Sequence, residues 1–214
     1  MTDANMAKLG PLADGVVGTN GQYTDLYQAM IDPAGPMWKR VLVVAGAVMS
    51  RDVVIPAGGA YTAASIIGIG GYPVSIGGGY QLSIAADDVF VDCIKLSGAV
   101  GKPNITISGN RARLHRVYSL YATTVAGHGI AVTVGSHFYF IECYTYGNGG
   151  NGISLSSGSI ATVLACHSQG NTGWGLYDAS GSGNNLVALG NVIWGNTAGQ
   201  ISTTSTIVAA NKTA

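Results

Sequence analysis

The sequence predicts an all-β solenoid, because three short blocks return in one order at a nearly constant spacing. In the first block, Ile130 returns as Ile153 and Leu176, 23 residues apart each time, and then as Ile201 after 25 residues. The second block alternates like a β-strand and ends in Cys or Asn, and the third is a Gly-Asn pair. One such unit cannot bury its own apolar face, whereas a stack of units can.

The repeat extends upstream with less regularity. Residues 111–119 align with residues 137–145 at an offset of 26. Gly and Asn, which tolerate positive φ, separate short runs with strand character. The predicted upstream strands are Val41–Val44, Val53–Ile55, Ile66–Ile69, Gln81–Ile84, Val89–Val91, Ile94–Leu96 and Ile105–Ile107. We expect about six or seven turns of chain, called rungs below, with roughly 4.8 Å between successive rungs.

One segment, Tyr23–Ile31, favours a short helix. Thr24 or Asp25 can cap its first turn, and Pro33 ends it. The apolar residues that share one helical face are Leu26, Ala29 and Met30. A solenoid needs a cap where its terminal rung exposes apolar core. We interpret the helix as that N-terminal cap; the alternative is an element that docks onto a partner.

The motifs resemble a known superfamily. The V-x-I-x-x-N and G-I-x-V blocks closed by Gly-Asn are similar to the right-handed parallel β-helix of the pectate-lyase-like superfamily. The N-terminal order is similar too: Ala13-Asp14-Gly15, a short helix, then Val41–Gly46 and Val53–Gly58. The resemblance covers nearly the whole chain. It implies the fold but no single activity, since the superfamily includes lyases, hydrolases, phage tailspikes and non-catalytic virion proteins.

Composition argues against several functions. Only 9% of residues are charged, against about 25% in typical soluble domains. The net charge is zero, so no basic surface indicates nucleic-acid binding. The uncharged segment 53–86 contains prolines and glycines rather than an apolar membrane span, and the N-terminus shows no signal-peptide pattern. Either the surface is neutral and polar, or other copies of the chain bury part of it, which we favour.

Strand alternation predicts which side chains face the interior. Phe138 and Phe140 point inward, as do the equivalent residues of the next two rungs. One inward column at a corner contains Cys143, Cys166, Asn191 and Asn211. The cysteines are expected as reduced thiols that fill space, although neighbouring rungs bring Cys143 and Cys166 close enough for a disulfide.

Two outward columns are apolar where a solvated rung would carry polar residues. Ile141, Leu164, Leu189 and Ala209 form one column, and Tyr139, Thr162, Val187 and Ile207 form the other. An apolar stripe on a flat face marks a partner surface; the alternative is that these are scattered exposed aliphatic side chains without a partner. The predicted interface residues are Tyr139, Ile141, Leu164, Val187, Leu189 and Ile207. The resemblance to phage proteins implies that the partner is the chain itself, in a homotrimer of parallel columns.

Few acidic residues are available for catalysis. A glycosidase needs two facing carboxylates, and a lyase needs a base together with a cation or metal. The candidates are Asp87, Asp88, Asp92, Glu142, His115 and Arg116. Asp87 and Asp88 fit a turn better than catalysis or calcium binding. Arg113, His115, Arg116 and Glu142 form one mixed cluster, in which we expect a structural Arg116–Glu142 ion pair. No zinc or nucleotide motif is present, so no metal or cofactor is predicted.

Two further features stay open at this stage. Tyr118, Tyr121, Tyr144, Tyr146, Trp174 and Trp194 cluster near corners and either stack on sugars or line the trimer interface. The glycan-binding candidates among them are Tyr118, Tyr144, Tyr146, Trp174 and Trp194. Asp178 occupies a slot that apolar residues fill on the rungs below. Either it is buried with a partner, or the insertion at 179–185 turns it outward, which we expect.

Taken with the resemblance, these features predict a non-enzymatic structural protein of a phage virion. It would be a homotrimeric decoration of the capsid or a spike-like projection, assembled in the host cytoplasm. Residues 1–40 form the arm and capping helix, which we expect to contact other virion proteins, and residues 41–214 form the solenoid. The alternatives are a polysaccharide-degrading enzyme, either lyase or glycoside hydrolase, and a module that binds a cell-surface glycan without cleaving it.

Overall fold

The chain folds into a parallel β-helix with a short helix near its N-terminus. The computed structural model describes residues 13–70, 72–156, 158–179, 186–202 and 206–213. The strands lie in three parallel sheets that form the walls of one column. The solenoid prediction is therefore confirmed, with strand ends within one or two residues of those expected. Strands are numbered below in chain order.

Sheet 1 is the longest wall. Within the described ranges its nine strands are β1 Gly15–Val17, β2 Arg40–Val43, β4 Ser65–Gly68, β7 Phe90–Asp92, β10 Arg113–His115, β13 Phe138–Ile141, β16 Ala161–Leu164, β19 Leu186–Leu189 and β22 Thr206–Ala209. Each strand pairs in parallel with the equivalent strand of the next rung. Phe138, for example, lies beside Ala161, and Ala161 beside Leu186.

Sheets 2 and 3 complete each rung. The described strands of sheet 2 are β5 Val74–Ser75, β8 Ile94–Ser97, β11 Tyr118–Leu120, β14 Tyr144–Tyr146, β17 His167–Gln169, β20 Val192–Trp194 and β23 Lys212–Thr213. Those of sheet 3 are β3 Val53–Ile55, β6 Leu82–Ile84, β9 Ile105–Ile107, β12 Ile130–Val132, β15 Ile153–Leu155, β18 Trp174–Asp178 and β21 Gly199–Ser202. The chain runs from sheet 1 to sheet 2 to sheet 3 in each complete rung.

The core is a continuous apolar column between the three sheets. Strand alternation directs every second side chain inward. Phe138 and Phe140 are fully buried, and Val163 and Leu186 continue the same columns above them. The inward positions predicted for these strands are confirmed. Neighbouring rungs place apolar residues of different sizes at the same position, such as Phe138, Ala161 and Leu186, and all three are buried.

Left-handed backbone turns the chain at each corner. Between sheets 1 and 2, one residue per rung has a φ between 50° and 64°. These residues are Cys93, Arg116, Glu142, Ala165, Gly190 and Ala210. The corner between sheets 2 and 3 also contains left-handed residues, which are Gly98, Tyr121, Gly147, Gly170 and Gly195. A residue with a Cβ is strained in this conformation, so glycine suits these positions and other residues occupy them at a cost.

Asparagine ladders hold two of the corners. After the first corner, the backbone N–H of Cys166 donates to Asn191 Oδ1 at 2.8 Å, and that of Asn191 donates to Asn211 Oδ1 at 2.8 Å. Cys143 and Cys166 continue this column as buried thiols, and burial raises the pKa of Cys166 well above its ordinary value. The predicted inward column is confirmed.

The Gly-Asn pairs form a second ladder. Asn148 Nδ2 donates to Asn171 Oδ1 at 2.8 Å, and Asn171 Nδ2 donates to Asn196 Oδ1 at 2.8 Å. Below them, Ala122 occupies the asparagine slot, and the buried Asn104 reaches in from the adjoining corner to bond Leu120 O at 2.9 Å. Each buried amide is thereby satisfied, as burial of polar groups requires.

The helix, α1 Leu26–Met30, lies at the N-terminal end of the core. Asp25 caps it by accepting a hydrogen bond from the N–H of Tyr27 at 2.9 Å. Its apolar face of Leu26, Ala29 and Met30 is fully buried in the main core cluster. The Tyr61 hydroxyl donates to the carbonyl oxygen of Met30. The helix therefore covers the end of the column, as predicted.

The outward position predicted for Asp178 is wrong. Asp178 is only 2% exposed, because β18 stays in register with β15 and pairs Asp178 with Leu155. The alternation of the strand, rather than the insertion that follows it, therefore sets the direction of the side chain. Residues 180–185 of that insertion lie outside the described residues.

We expect Gly190→Ala to lower the free energy of unfolding by about 1 kcal/mol. The strain of alanine in left-handed backbone destabilises the folded state by more than the reduced flexibility of the unfolded chain stabilises it. No atom lies within 4 Å of the added Cβ, so steric clash contributes nothing. Gly59→Ala is the control, because its Cβ also meets open space but its φ is not left-handed. Urea denaturation should show a loss for Gly190→Ala and none for Gly59→Ala; equal effects would contradict the assignment of strain to the corner.

Candidate functional site

The outer face of sheet 1 carries an apolar stripe on three successive rungs. We define the apolar stripe as Tyr139 and Ile141 on β13, Thr162 and Leu164 on β16, and Val187 and Leu189 on β19. Tyr139, Thr162 and Val187 form one column, and Ile141, Leu164 and Leu189 form the other. All six side chains are half-buried or exposed, with Tyr139 at 37% and Leu189 at 36%. The side chain of Ile207, also predicted here, lies outside the described part of the structure.

Charged residues replace the stripe on the rungs below it. Arg113 lies directly below Tyr139, and His115 lies directly below Ile141. Asp92 precedes His115 in the same column. Together with the corner residues Arg116 and Glu142, these side chains form what we call the charged belt. The outer face of sheet 1 thus changes abruptly from charged to apolar between β10 and β13.

The belt is linked by a chain of close contacts. Arg116 donates two hydrogen bonds to Asp92, of 3.1 Å from Nε and 2.8 Å from Nη2. These bonds raise the pKa of Arg116 above its ordinary value. His115 lies between two carboxylates, with Nδ1 3.2 Å from Asp92 Oδ1 and Nε2 3.6 Å from Glu142 Oε2.

The predicted Arg116–Glu142 ion pair is replaced by two other contacts. The two residues do occupy equivalent corner positions on neighbouring rungs, since the N–H of Arg116 donates to Ile141 O and both have left-handed backbone. However, Arg116 turns down to Asp92, whose side chain is only 13% exposed and offers both oxygens. Glu142, with a side chain 57% exposed, approaches His115 instead. A bidentate pair with a less exposed carboxylate is the stronger interaction.

Asp87 and Asp88 lie at a different corner, between sheets 3 and 1. Asp87 accepts hydrogen bonds from the backbone N–H of Asn110 at 2.7 Å and from its Nδ2 at 3.1 Å. Arg111 holds Asp88 through bonds of 2.7 and 2.8 Å, and this contact lowers the pKa of Asp88. The expected turn is present, but these carboxylates bond the next rung rather than their own backbone. They do not face Asp92 or Glu142.

Sheet 2 presents an aromatic face beside the belt. We define the aromatic face as Tyr118, Tyr121, Tyr144, Tyr146 and His167. Ring centroids lie 5.3 Å apart for Tyr118 and Tyr144, 6.1 Å for Tyr144 and Tyr146, and 6.0 Å for Tyr144 and His167. Burial, followed by the surrounding tyrosines, raises the pKa of Tyr144. The predicted clustering of the tyrosines is confirmed.

The two tryptophans occupy different walls. Trp194 lies on β20 of sheet 2, in the column of Gln169, and is 45% exposed. Trp174 lies on β18 of sheet 3, with its ring against Gly199. A Cβ at Gly199 would lie 2.2 Å from that ring, so glycine makes room for it. Trp194 therefore extends the aromatic face, and the expectation that Trp174 joins the same cluster is wrong.

The belt and the aromatic face meet in an open cleft at the corner between sheets 1 and 2. This corner cleft has a volume of about 490 Å³. Its lining includes Arg116, Glu142, Tyr118, Tyr144, His167 and Tyr72. Sequence reasoning missed Tyr72, which is 86% exposed. The sequence does contain a sign of this exposed ring. Tyr72 is a large aromatic residue, followed by Pro73, in a glycine-rich segment that contributes few side chains to the core.

The cleft combines a carboxylate, an imidazole and aromatic rings, which suit a polar ring-shaped ligand. Among the described residues, no group of three or more His, Cys, Asp or Glu side chains converges on a possible metal position. The described helix is too short to cross a bilayer.

Comparison with known proteins gives one match. The family model described as the right-handed β-helix region matches residues 64–214. No curated protein and no solved structure matches the chain significantly.

We expect Asp92→Asn to lower the midpoint of thermal unfolding, because it weakens the bond to Arg116 and the contact with His115 in a poorly solvated position. Asp88→Asn is the matched control. It weakens an arginine pair whose bonds of 2.7 and 2.8 Å are at least as short, but the Asp88 side chain is 40% exposed, and exposed pairs add little. A loss for Asp88→Asn as large as that for Asp92→Asn would contradict this ranking.

Proposed function

Because the chain belongs to the right-handed β-helix family, we propose that it is a non-enzymatic structural protein that assembles into a homotrimer. In this proposal the trimer forms a surface projection of a phage virion, either a capsid decoration or a spike. The observation that carries the proposal is the apolar stripe. Six residues in two stacked columns point away from the core on a flat sheet, where a solvated wall would carry polar side chains.

Burial of the stripe supplies the driving force. A Leu, Ile or Val side chain contributes about 1.5–3 kcal/mol when it moves from full exposure to full burial. The stripe residues are already partly covered, so each contributes less than this. Several such residues on each copy, brought together by closed rotational symmetry, still produce a sizeable apolar contact. Two stripe members carry a hydroxyl, Tyr139 and Thr162, and Thr162 lies between Tyr139 and Val187 in its column.

The virion context is supported by the resemblance to phage β-helices and by the composition. A chain with 9% charged residues has an unusually neutral surface, which is expected if neighbouring copies bury part of it. In the proposal, residues 1–40 attach the column to other virion proteins. The helix in this region uses its apolar face to cover the core, so attachment falls to the surfaces around it.

We expect the wild-type protein to sediment with three times the mass of one chain and Leu164→Arg to sediment as a monomer. A charged side chain in the middle of the stripe cannot be buried without a partner. Val54→Arg is the matched control, since Val54 is a 45% exposed apolar residue on sheet 3. Analytical ultracentrifugation provides the masses, and circular dichroism checks the fold. A wild-type monomer at all accessible concentrations would overturn the homotrimer.

A second candidate function, binding of a cell-surface glycan, is favoured by the aromatic face and the corner cleft. Sugar rings stack on aromatic side chains, and Glu142 at the edge of the cleft can accept hydroxyl hydrogen bonds. The enzyme alternative uses the same place, because Asp92 and Glu142 approach the two ring nitrogens of His115. Asp92 is paired with Arg116, so its carboxylate is not free to act on a substrate. We therefore favour glycan binding over glycan cleavage.

We expect Tyr144→Ala to weaken glycan binding by about two- to tenfold, the effect of one aromatic contact. Tyr80→Ala is the control, as Tyr80 is 37% exposed and outside the aromatic face. The probes are pectin and purified bacterial capsular polysaccharide, with binding measured by titration calorimetry. Equal affinity of the wild type and Tyr144→Ala would contradict the site. Release of reducing ends or unsaturated uronates, abolished by Glu142→Gln, would replace binding by the enzyme alternative.

A further inference from the structure

We infer that neighbouring copies of the chain pack in parallel with their rungs in register, and that Arg113 of one copy pairs with Glu142 of the next. This inference rests on the proposed self-association through the apolar stripe. It assigns to the charged belt the task of setting the height and direction at which the copies meet.

Arg113 and Glu142 are the two belt residues whose charge is least satisfied within one chain. Asp92 and Arg116 neutralise each other through two hydrogen bonds. Among the described residues, Arg113 has no carboxylate within 4.0 Å, and its guanidinium lies 5.7 Å from the Tyr139 ring. The Arg111 hydrogen bonds and then the charge of Arg113 lower the pKa of Asp88, but both oxygens of Asp88 are bonded to Arg111 rather than to Arg113. Its nearest belt neighbour on the same strand, His115, is already placed between Asp92 and Glu142. Glu142 remains 57% exposed, with only the His115 imidazole beside it.

The two charges lie at opposite edges of the same wall. Arg113 is in the Tyr139 column, on the side of sheet 1 that adjoins sheet 3. Glu142 follows Ile141 at the corner with sheet 2. Rotation about an axis parallel to the column brings one edge of a copy against the opposite edge of its neighbour. Arg113 and Glu142 then meet about one rung apart in height, roughly 4.8 Å, which an arginine side chain can span.

The stripe alone does not define this alignment. Its columns repeat similar apolar residues from rung to rung, so a shift of one rung still places apolar residues against apolar residues. A shift of one rung in one direction separates Arg113 and Glu142 by two rungs and leaves both charges in a partly desolvated contact, which is unfavourable. The opposite shift brings the two charges level but places the charged strand β10 of one copy beside the apolar strand β13 of the next. In an antiparallel arrangement the charged belt of one copy would lie beside the C-terminal, uncharged end of the apolar stripe of the other copy. Arg113 and Glu142 would then have no charged partner there. Charge complementarity therefore selects one register, while apolar contact provides most of the affinity.

Charge reversal tests the pairing. Arg113→Glu and Glu142→Arg should each raise the dissociation constant of the trimer, on the order of tenfold or more, and the double variant should recover most of that loss. Arginine fits position 142 because Arg116 has the same left-handed backbone one rung below, with φ of 51° against 53°. Arg51→Glu, an exposed charge reversal outside the belt, is the control. Sedimentation equilibrium measures the association, and circular dichroism confirms that each variant folds.

The outcomes separate this inference from the function on which it rests. A wild-type trimer that tolerates either single reversal overturns the pairing but leaves the homotrimer intact, and so does a double variant weaker than both single variants. A wild-type protein that stays monomeric overturns the homotrimer itself, and the pairing with it. Recovery of association in the double variant, together with unchanged association of Arg51→Glu, supports the pairing, because Arg51→Glu changes the net charge by the same amount as Arg113→Glu.

Discussion

The parallel hydrogen-bond ladder between rungs is the constraint on which the rest of the structure depends. Every strand pairs with the equivalent strand one rung away, so each side chain lies directly above and below its counterparts. The ladder survives the corners because one residue in each rung adopts left-handed backbone there. The core, the asparagine ladders, the apolar stripe and the aromatic face are all columns produced by this register. A shift of one residue would exchange the inner and outer faces of an entire strand.

This constraint explains which features the sequence could predict. A periodic column is visible in the sequence because its members share one position in the repeat. Cys143, Cys166, Asn191 and Asn211 were correctly placed inward for that reason, although they share little chemistry. Asp178 follows the same rule: its position in the repeat, rather than its chemistry, sets the direction of its side chain. The insertion that follows this residue suggested an outward position, yet the register of β18 with β15 keeps it inside.

Contacts between columns were harder to predict than the columns themselves. A corner residue has neighbours on the rung above and on the rung below, and the repeat alone does not say which one it contacts. Arg116 contacts Asp92 below it rather than Glu142 above it, because the less exposed carboxylate can accept two hydrogen bonds. Tyr72 escaped prediction because it lies outside the repeat. Trp174 lies on sheet 3, apart from the tyrosines, and nearness to a corner in sequence does not identify which of three sheets a residue faces.

The distribution of charge along the column gives the molecule a direction. Beyond Glu142 the sequence contains only two charged side chains, Asp178 and Lys212, and Asp178 is buried. The N-terminal rungs therefore carry nearly all the charged surface, much of it matched in local pairs such as Arg111–Asp88 and Arg116–Asp92. The C-terminal rungs of sheet 1 offer apolar columns instead. Two such columns side by side match charged with charged and apolar with apolar only when they point the same way, so the charge distribution itself favours a parallel bundle.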